Sequence, residues 1–429
     1  LAKTRSWPHK NGAEDILERQ GRLRPLLGDD ADLLFEPPVS FEALGRFQEC
    51  VTSHTVLPVG IVGPLDVNMG LYHLGEDGDI VEDARQDEGV FVPLAHTEGG
   101  LSASMLRGSR AATKDGPVRT YVLADRITRD SCFTFDDVGT AIAFSRFVQN
   151  HVKAMATWLH DSANPLRHQV LSTGMPVLSR HTLLHEVRPY IVGTTCHVRY
   201  RFTTGDACGP NMMTRSAFAL NQEYLLPRWL GEGHPSPQHV ALEANMGGDK
   251  KPSHAFFEEG HGKTVMAEAF VSSSTLRRNL QTTAEDMIAL QETGLHGAHA
   301  SGMQSFAFTP ASAVAAIFAA TGQDLGMVGT SSMAHASITA VEDGLNLSLR
   351  LPGLEVGTVG GGTTLPHARA HLKLMGCVGR GKVYRLAQIV VAAALCLELS
   401  ASASMASHGS LNFFEAHLER GGERPPMEV

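Results

Sequence analysis

An α+β fold is predicted by three features of this 429-residue chain. First, Val118–Ala124, Leu183–Val192 and Thr195–Thr203 have the β-branched and aromatic content of strands. Second, Asp137–Trp158 places Ile142, Phe144, Phe147, Val148 and Val152 on or near one helical face. Third, residues 242–400 change texture and become rich in Ala, Gly and Ser, which lets helices approach closely. Strands and helices alternating over 121–241 suit a small α+β domain, and the chain is long enough for two or three domains.

Residues 1–40 are polar and contain proline, with a helix expected at Ala13–Gln20. Residues 41–120 hold a turn region at Leu57–Leu65 and a helix opening near Glu98, with Leu101 and Met105 on its packed face. Beyond 242, Ser312–Ala320 and Gln388–Leu399 read as buried helices. The longest apolar run, Ile389–Leu397, is short of the roughly 20 helical residues that span a bilayer, so no membrane association is expected. The tail from Arg420 to Val429 is expected to be mobile.

Hydrophobic content of 43% and charged content of 19% are ordinary for a soluble globular protein. A net charge of -9 without any useful basic run argues against a nucleic-acid partner. An anionic substrate would therefore need positive charge concentrated locally. The six scattered cysteines contain no CxxC pair, so neither zinc nor a disulfide framework is expected. The scattered cysteines make a cytoplasmic location the expectation, and no signal peptide is visible at the polar start.

Four places carry chemical interest. Glu98 stands beside Gly99 and Gly100 where a helix begins; an acid there can cap the helix or give a proton to a substrate. Asp249-Lys250-Lys251 contains paired lysines, ordinarily solvated charge, but Gly247, Gly248 and the apolar residues after Pro252 argue for a pinned loop. Asp324, in Gly322-Gln323-Asp324, is either an ordinary helix-end acid of turn character or a catalytic carboxylate. His408 is one of 21 histidines, and Ser407 and Gly409 around it suit a segment that closes over a site.

Taken in order with Leu57–Leu65, Asp206-Ala-Cys-Gly-Pro-Asn-Met212 and Gly357-Thr-Val-Gly-Gly-Gly-Thr363, these pieces resemble the hydroxymethylglutaryl-coenzyme A reductase family over residues 41–412. The resemblance implies a ferredoxin-like dinucleotide domain (121–241) inserted in a large substrate domain (41–120 and 242–400). It also implies an N-terminal segment (1–40) lying on a neighbouring subunit, and a C-terminal flap and tail (401–429). The activity implied is reduction of an acyl-coenzyme A thioester by NADPH, with NADH less favoured, in a homodimer or tetramer with shared sites.

In that reaction Lys250 would steady the carbonyl oxyanion, a contribution often worth several kcal/mol. His408 would protonate the departing thiolate. Glu98 would protonate the final alkoxide, its own proton retained by burial or by Asp324 nearby. The resemblance places the dinucleotide on Asp206, Ala207, Cys208, Gly209, Asn211 and Met212, and on Gly357, Thr358, Val359, Gly360, Gly361, Gly362 and Thr363. Glycines let backbone amides approach a pyrophosphate. Ser145, Arg146 and Asn412 match contacts to the 2′-phosphate that distinguishes NADPH. Arg119, Asn245, Asp249 and Lys251 match acyl-group contacts, Ser104 and Arg107 coenzyme A contacts, and Ser407 the flap beside His408. No metal is implied.

The chain departs from the family around the substrate. Glu243 stands where a substrate-binding serine is expected, and no lysine occurs between Lys263 and Lys373. Ala307-Phe-Thr-Pro-Ala-Ser312 replaces a more polar stretch, Gln281 a lysine, and Leu106 and Ala403 polar residues. The retained hydride-transfer groups favour a reductase of the family substrate or a relative of it. A non-reducing acid–base or cyclising relative, and a silent binding protein, are the alternatives.

Overall fold

The structure is a computed structural model that describes residues 13–35, 56–172, 177–179 and 181–407. His408, Asn412 and the 420–429 tail lie outside the described residues. Helix α1 (Ala13–Leu27) runs beyond the expected Gln20. Leu23 and Leu27 explain this: both are buried with Ala31 against Leu374, and that burial outweighs the helical cost of Gly21, about 1 kcal/mol. Lys373 Nζ donates to the Leu27 carbonyl at 2.7 Å and lies 3.2 Å from Asp30. These residues of the N-terminal segment therefore pack on their own chain.

Strands β1 (Val59–Leu74) and β2 (Ile80–Ala95) form a long antiparallel hairpin. The expected turn at Leu57–Leu65 is instead the start of β1, with a register shift between Val62 and Leu65. Gly63 at φ 147° supplies the backbone that the shift requires. Helix α2 (Leu101–Ala112) follows, with Leu101 and Met105 buried as expected. Strand β3 (Val118–Thr134) continues ten residues past the expected Ala124 because it serves two sheets. Its first part pairs with β7 (Gly262–Ser272) and its second, from Ile127, with β5 (Thr195–Thr203).

Helix α3 (Val138–His160) begins at the N-cap Asp137, whose carboxylate accepts the Thr140 amide at 2.9 Å. Strands β4 (Leu183–Val192) and β5 have the expected bounds. Helix α4 (Pro210–Ala219) and the short β6 (His239–Ala241) complete the small domain. Its strands lie in the order β6-β3-β5-β4, and each neighbouring pair is antiparallel. With α3 between β3 and β4 and α4 before β6, this is the βαββαβ arrangement of a ferredoxin-like unit. Its separate core gathers Phe133, Phe135, Phe144, Phe147, Tyr200 and Trp229.

The remaining elements are helices α5 (Ala284–Ser301) and α6 (Pro310–Thr321), strands β8 (His335–Val341) and β9 (Gly344–Leu354), and helices α7 (Pro366–Leu374) and α8 (Val383–Ala406). The large sheet runs β2-β1-β3-β7-β9-β8. Residues 242–400 are thus more strand-rich than their Ala, Gly and Ser content implied. Helix α8 is the centre of the large core, with Val383–Ala403 buried except Arg385. By length and apolarity alone α8 could cross a bilayer, but it is enclosed by the rest of the protein. The fold is α+β, as expected.

Candidate active site

The loop between β6 and the short helix His254–Glu259 carries Lys250. Three of its residues take positive φ: Asn245 (68°), Gly248 (70°) and Lys250 itself (60°). Such a backbone costs a lysine about 1–3 kcal/mol and persists only when its surroundings over-determine it. Here β3 does so from below. Thr128 Oγ1 donates to the Gly247 carbonyl at 2.8 Å, and Asp130 Oδ2 accepts the Met246 amide at 3.2 Å. The Arg129 guanidinium, 8% exposed, pairs with Glu243 and with Asp249, each at 2.7 Å. The paired lysines are therefore mounted on a pinned loop.

Lys250 Nζ lies 2.8 Å from Asp324 Oδ2. That bond raises the lysine pKa, so the side chain is an ammonium throughout the neutral range. Asp324 also caps the turn Leu325–Met327, its Oδ1 accepting the Gly326 amide at 2.9 Å. Asp324 is thus the turn acid as well as the partner of Lys250, one oxygen holding the turn and the other the lysine. Burial works against the Asp249 carboxylate, but His261 and Arg129 outweigh it and hold its pKa below the usual range.

The two glycine-bearing segments meet beside this pair. Gln323, adjacent to Asp324, donates to the Gly357 carbonyl at 3.0 Å and accepts the Gly357 amide at 2.9 Å. Thr358 N donates to the Asp206 carbonyl at 2.8 Å. Gly322 and Gly362 touch so closely that a Cβ at Gly322 would lie 2.2 Å from the Gly362 oxygen. Gly360 and Gly361 are exposed, with positive φ and nothing within 4 Å of where a Cβ would stand. Gly209, at φ 102°, starts α4, whose N-terminal amides add positive potential.

Other predicted residues are employed differently. The Asp206 carboxylate accepts the amides of Gly381, Lys382 and Val383 at 2.7–3.2 Å. It is thereby committed to the start of α8 and has little capacity left for a cofactor. Ser104 bonds Ser400 at 2.9 Å, and Arg107 bonds Ser400 and Ser404, so α8 occupies the groups matched to coenzyme A. Ser407 Oγ closes the end of α8 by donating to the Ser404 carbonyl at 2.9 Å. Ser145 is buried in α3, while Arg146 is exposed. Lys251 is exposed and donates to the Asn245 side chain.

Glu98 is exposed, three residues before α2. The N-cap is Gly100, and among the described residues the Glu98 carboxylate has no hydrogen bond and no cation within 4 Å. It does not cap the helix, and no hydrogen bond joins it to Asp324 among the described residues. Arg119 lies near the start of β3, nine residues from Thr128, or about 30 Å along a strand. One chain thus assembles Lys250, Asp324 and the glycine segments, and holds Glu98 and Arg119 elsewhere.

The departures also have places. Glu243 is turned under the loop, one oxygen on Arg129 and the other accepting the Asn245 amide at 2.8 Å. Leu295, Gly297 and Ala307 line one apolar cavity of about 270 Å³ between α5, β8 and β9. Glu398, at its edge, accepts the Phe308 and Thr309 amides at 2.9 Å. Sequence reasoning missed Arg129, His261 and Glu355 beneath the loop. A buried run in β3 and the acid before Gly357 are the only local signals, and neither names its partner.

Comparison with known proteins agrees with this geometry. The family model for hydroxymethylglutaryl-coenzyme A reductase matches residues 15–421. The 3-hydroxy-3-methylglutaryl-coenzyme A reductase of Aeropyrum pernix is 35% identical over 419 residues, covering 96% of this chain and 91% of the relative. That of Pyrococcus abyssi is 34% identical over 374 residues, covering 85% and 83%. A class II 3-hydroxy-3-methylglutaryl-CoA reductase from Streptococcus pneumoniae, solved with NADPH in open conformations, superposes with a TM-score of 0.68 at 16% identity. That superposition covers 92% of this chain and 98% of the other. The chain belongs to the hydroxymethylglutaryl-coenzyme A reductase family.

Proposed function

We propose that the protein reduces 3-hydroxy-3-methylglutaryl-coenzyme A to mevalonate with NADPH, through a hemithioacetal and an aldehyde. The observation that carries this is the Lys250–Asp324 contact of 2.8 Å beside Gly357–Thr363. The exposed glycines Gly360 and Gly361 and the N-terminus of α4 fit a pyrophosphate, and Arg146 is exposed for a 2′-phosphate. Bound there, two NADPH molecules in succession supply the two hydrides. Lys250 holds the negative charge that reaches the carbonyl oxygen at each step, and Asp324 aims the ammonium without neutralising it. His408 gives a proton to the departing thiolate, and Glu98 gives one to the final alkoxide.

Because Glu98 and Arg119 are remote from Lys250 in one chain, the same proposal places them in the site of a second copy. A homodimer is then the smallest active unit. Arg119 and Lys251 face the substrate acid, and Glu243 does not oppose it because Arg129 already pairs with it. A cytosolic location belongs to the proposal and is supported by the unpaired cysteines 132, 196, 208, 377 and 396.

The test is consumption of NADPH, followed by absorbance, with the named thioester. Lys250→Ala is expected to lower kcat by at least 10²–10³-fold, the usual cost of losing an oxyanion partner. Turnover in Lys250→Ala at the parent rate would overturn the assignment. NADPH binding without turnover would move the proposal to another thioester that suits the apolar cavity.

A further inference from the structure

His261, wholly buried at the start of β7, faces two carboxylates. Its Nε2 lies 3.4 Å from Glu355 Oε2 and 3.6 Å from Asp249 Oδ1. None of these three atoms has a hydrogen-bond partner. The other ring nitrogen faces Thr128. Nδ1 is 2.7 Å from Thr128 Oγ1, whose own hydrogen goes to the Gly247 carbonyl at 2.8 Å. The Thr128 backbone N–H also points at Nδ1, at 3.4 Å, so Nδ1 either accepts from Thr128 or gives a hydrogen to its hydroxyl. Nε2 carries a hydrogen in either case, since a bare Nε2 would turn its lone pair toward two anions in a dry interior.

We propose that His261 is a positioning residue held as an imidazolium, whose Nε2–H bridges Asp249 and Glu355. The bridge ties the loop carrying Lys250 to the segment leading into Gly357–Thr363. It rests on the reductase reading for its catalytic consequence but not for its charge. Asp249 has Arg129 as a second cation, whereas Glu355, 1% exposed, has no other cation within 4 Å among the described residues. A buried carboxylate left unpaired is strongly disfavoured. The imidazolium also stacks on Phe256, with centroids 4.3 Å apart, a contact that favours a cation.

The surrounding charges are accounted for. Lys263, two residues along β7, points to Asp125 at 3.5 Å, and Lys250 to Asp324. The Cys208 thiol, near Glu355, is pushed above its ordinary pKa by burial and remains neutral. Burial lowers the affinity of His261 for its proton, but Glu355 and Asp249 outweigh it and raise the pKa to about 9. Because the folded value exceeds the unfolded one of 6.5, the bridge's contribution to stability is full below pH 6.5 and is lost as pH rises through about 9. The bond to Asp324 raises Lys250 above its ordinary value of 10.5, so it cannot cause a loss in that window.

The experiment is a pH titration of the full chain labelled with ¹⁵N-histidine, with the His261 signals assigned by their disappearance in His261→Gln. The ring is expected to carry both protons at pH 7.5 and to lose one near pH 9. The kcat for NADPH oxidation is expected to fall with the same midpoint, while the NADPH KM changes less than about twofold. In His261→Gln, kcat drops roughly ten- to a hundredfold, as for a slightly misplaced group, and the limb near pH 9 disappears. Glu355→Gln moves both midpoints toward neutrality and supplies the assignment if His261→Gln does not fold. A neutral or metal-bound ring at pH 7.5, or midpoints indifferent to Glu355→Gln, would overturn the proposal. The spectra do not depend on turnover, so failure of the reductase reading leaves the titration intact and is recognised separately.

Discussion

At the scale of single residues, the Lys250–Asp324 pair separates stability from chemistry. The two side chains are 50% and 47% exposed, so solvent screens their attraction. Such pairs contribute about 0–1 kcal/mol to folding. In a closed site with the substrate oxygen beside it, the same ammonium acts in a much drier medium. Asp324→Asn is therefore expected to shift Tm by only a few degrees and to lower kcat on the order of a hundredfold. Thermal unfolding and NADPH oxidation measured on one preparation check both halves. Loss of stability comparable to the loss of activity would mean that Asp324 serves mainly its Leu325–Met327 turn. Arg129 differs in kind: at 8% exposure it is the cation on which Glu243 and Asp249 both depend.

Among elements, the contact between the Gly322–Asp324 turn and the Gly357–Thr363 segment sets the distance from the lysine pair to the proposed cofactor cradle. Gly322 has φ 67°, and a Cβ there would stand 2.2 Å from the Gly362 oxygen. Gly322→Ala is expected to destabilise by roughly 1–3 kcal/mol and to raise the NADPH KM, read by urea unfolding and initial rates. An unchanged KM at reduced stability would show that the two segments move apart without consequence for the cofactor. The glycines and Asp324 were legible in the sequence because each sits in a motif of fixed spacing. So were β4, β5 and α3, each of which completes one amphipathic pattern inside one domain. Strand β3 was half legible, since its length follows from partners far away in the chain. Strand β9 was missed although Leu345, Leu347, Leu349 and Leu351 alternate cleanly and are all buried, because the composition of 242–400 masked a short period-two signal. The direction of Glu243 and the His261–Glu355 bridge could not be read, since each depends on residues about a hundred positions apart.

At the scale of the whole molecule, the arrangement of the proposed acid and base groups has a definite consequence for assembly. Helix α2, with Glu98 before it, and the N-terminal half of β3, with Arg119, belong to the large sheet's β1–β2 side. Lys250 sits over the other half of β3, braced by Thr128, Arg129 and Asp130. The two groups of residues cannot be joined by side-chain rotation across about 30 Å of strand. In the proposed homodimer a two-fold axis would join them, an isologous interface presenting each copy's Glu98 to the other's Lys250. Neither Glu98→Gln nor Lys250→Ala should then turn over alone, yet each carries what the other lacks. Mixing equal amounts under conditions that exchange subunits is expected to restore about a quarter of the parental NADPH oxidation, since half the dimers are mixed and one of their two sites is whole. Activity that stays at the level of the separate variants after verified exchange would place Glu98 and Lys250 in one chain's site, and would require α2 to move toward the Lys250 loop when substrate binds.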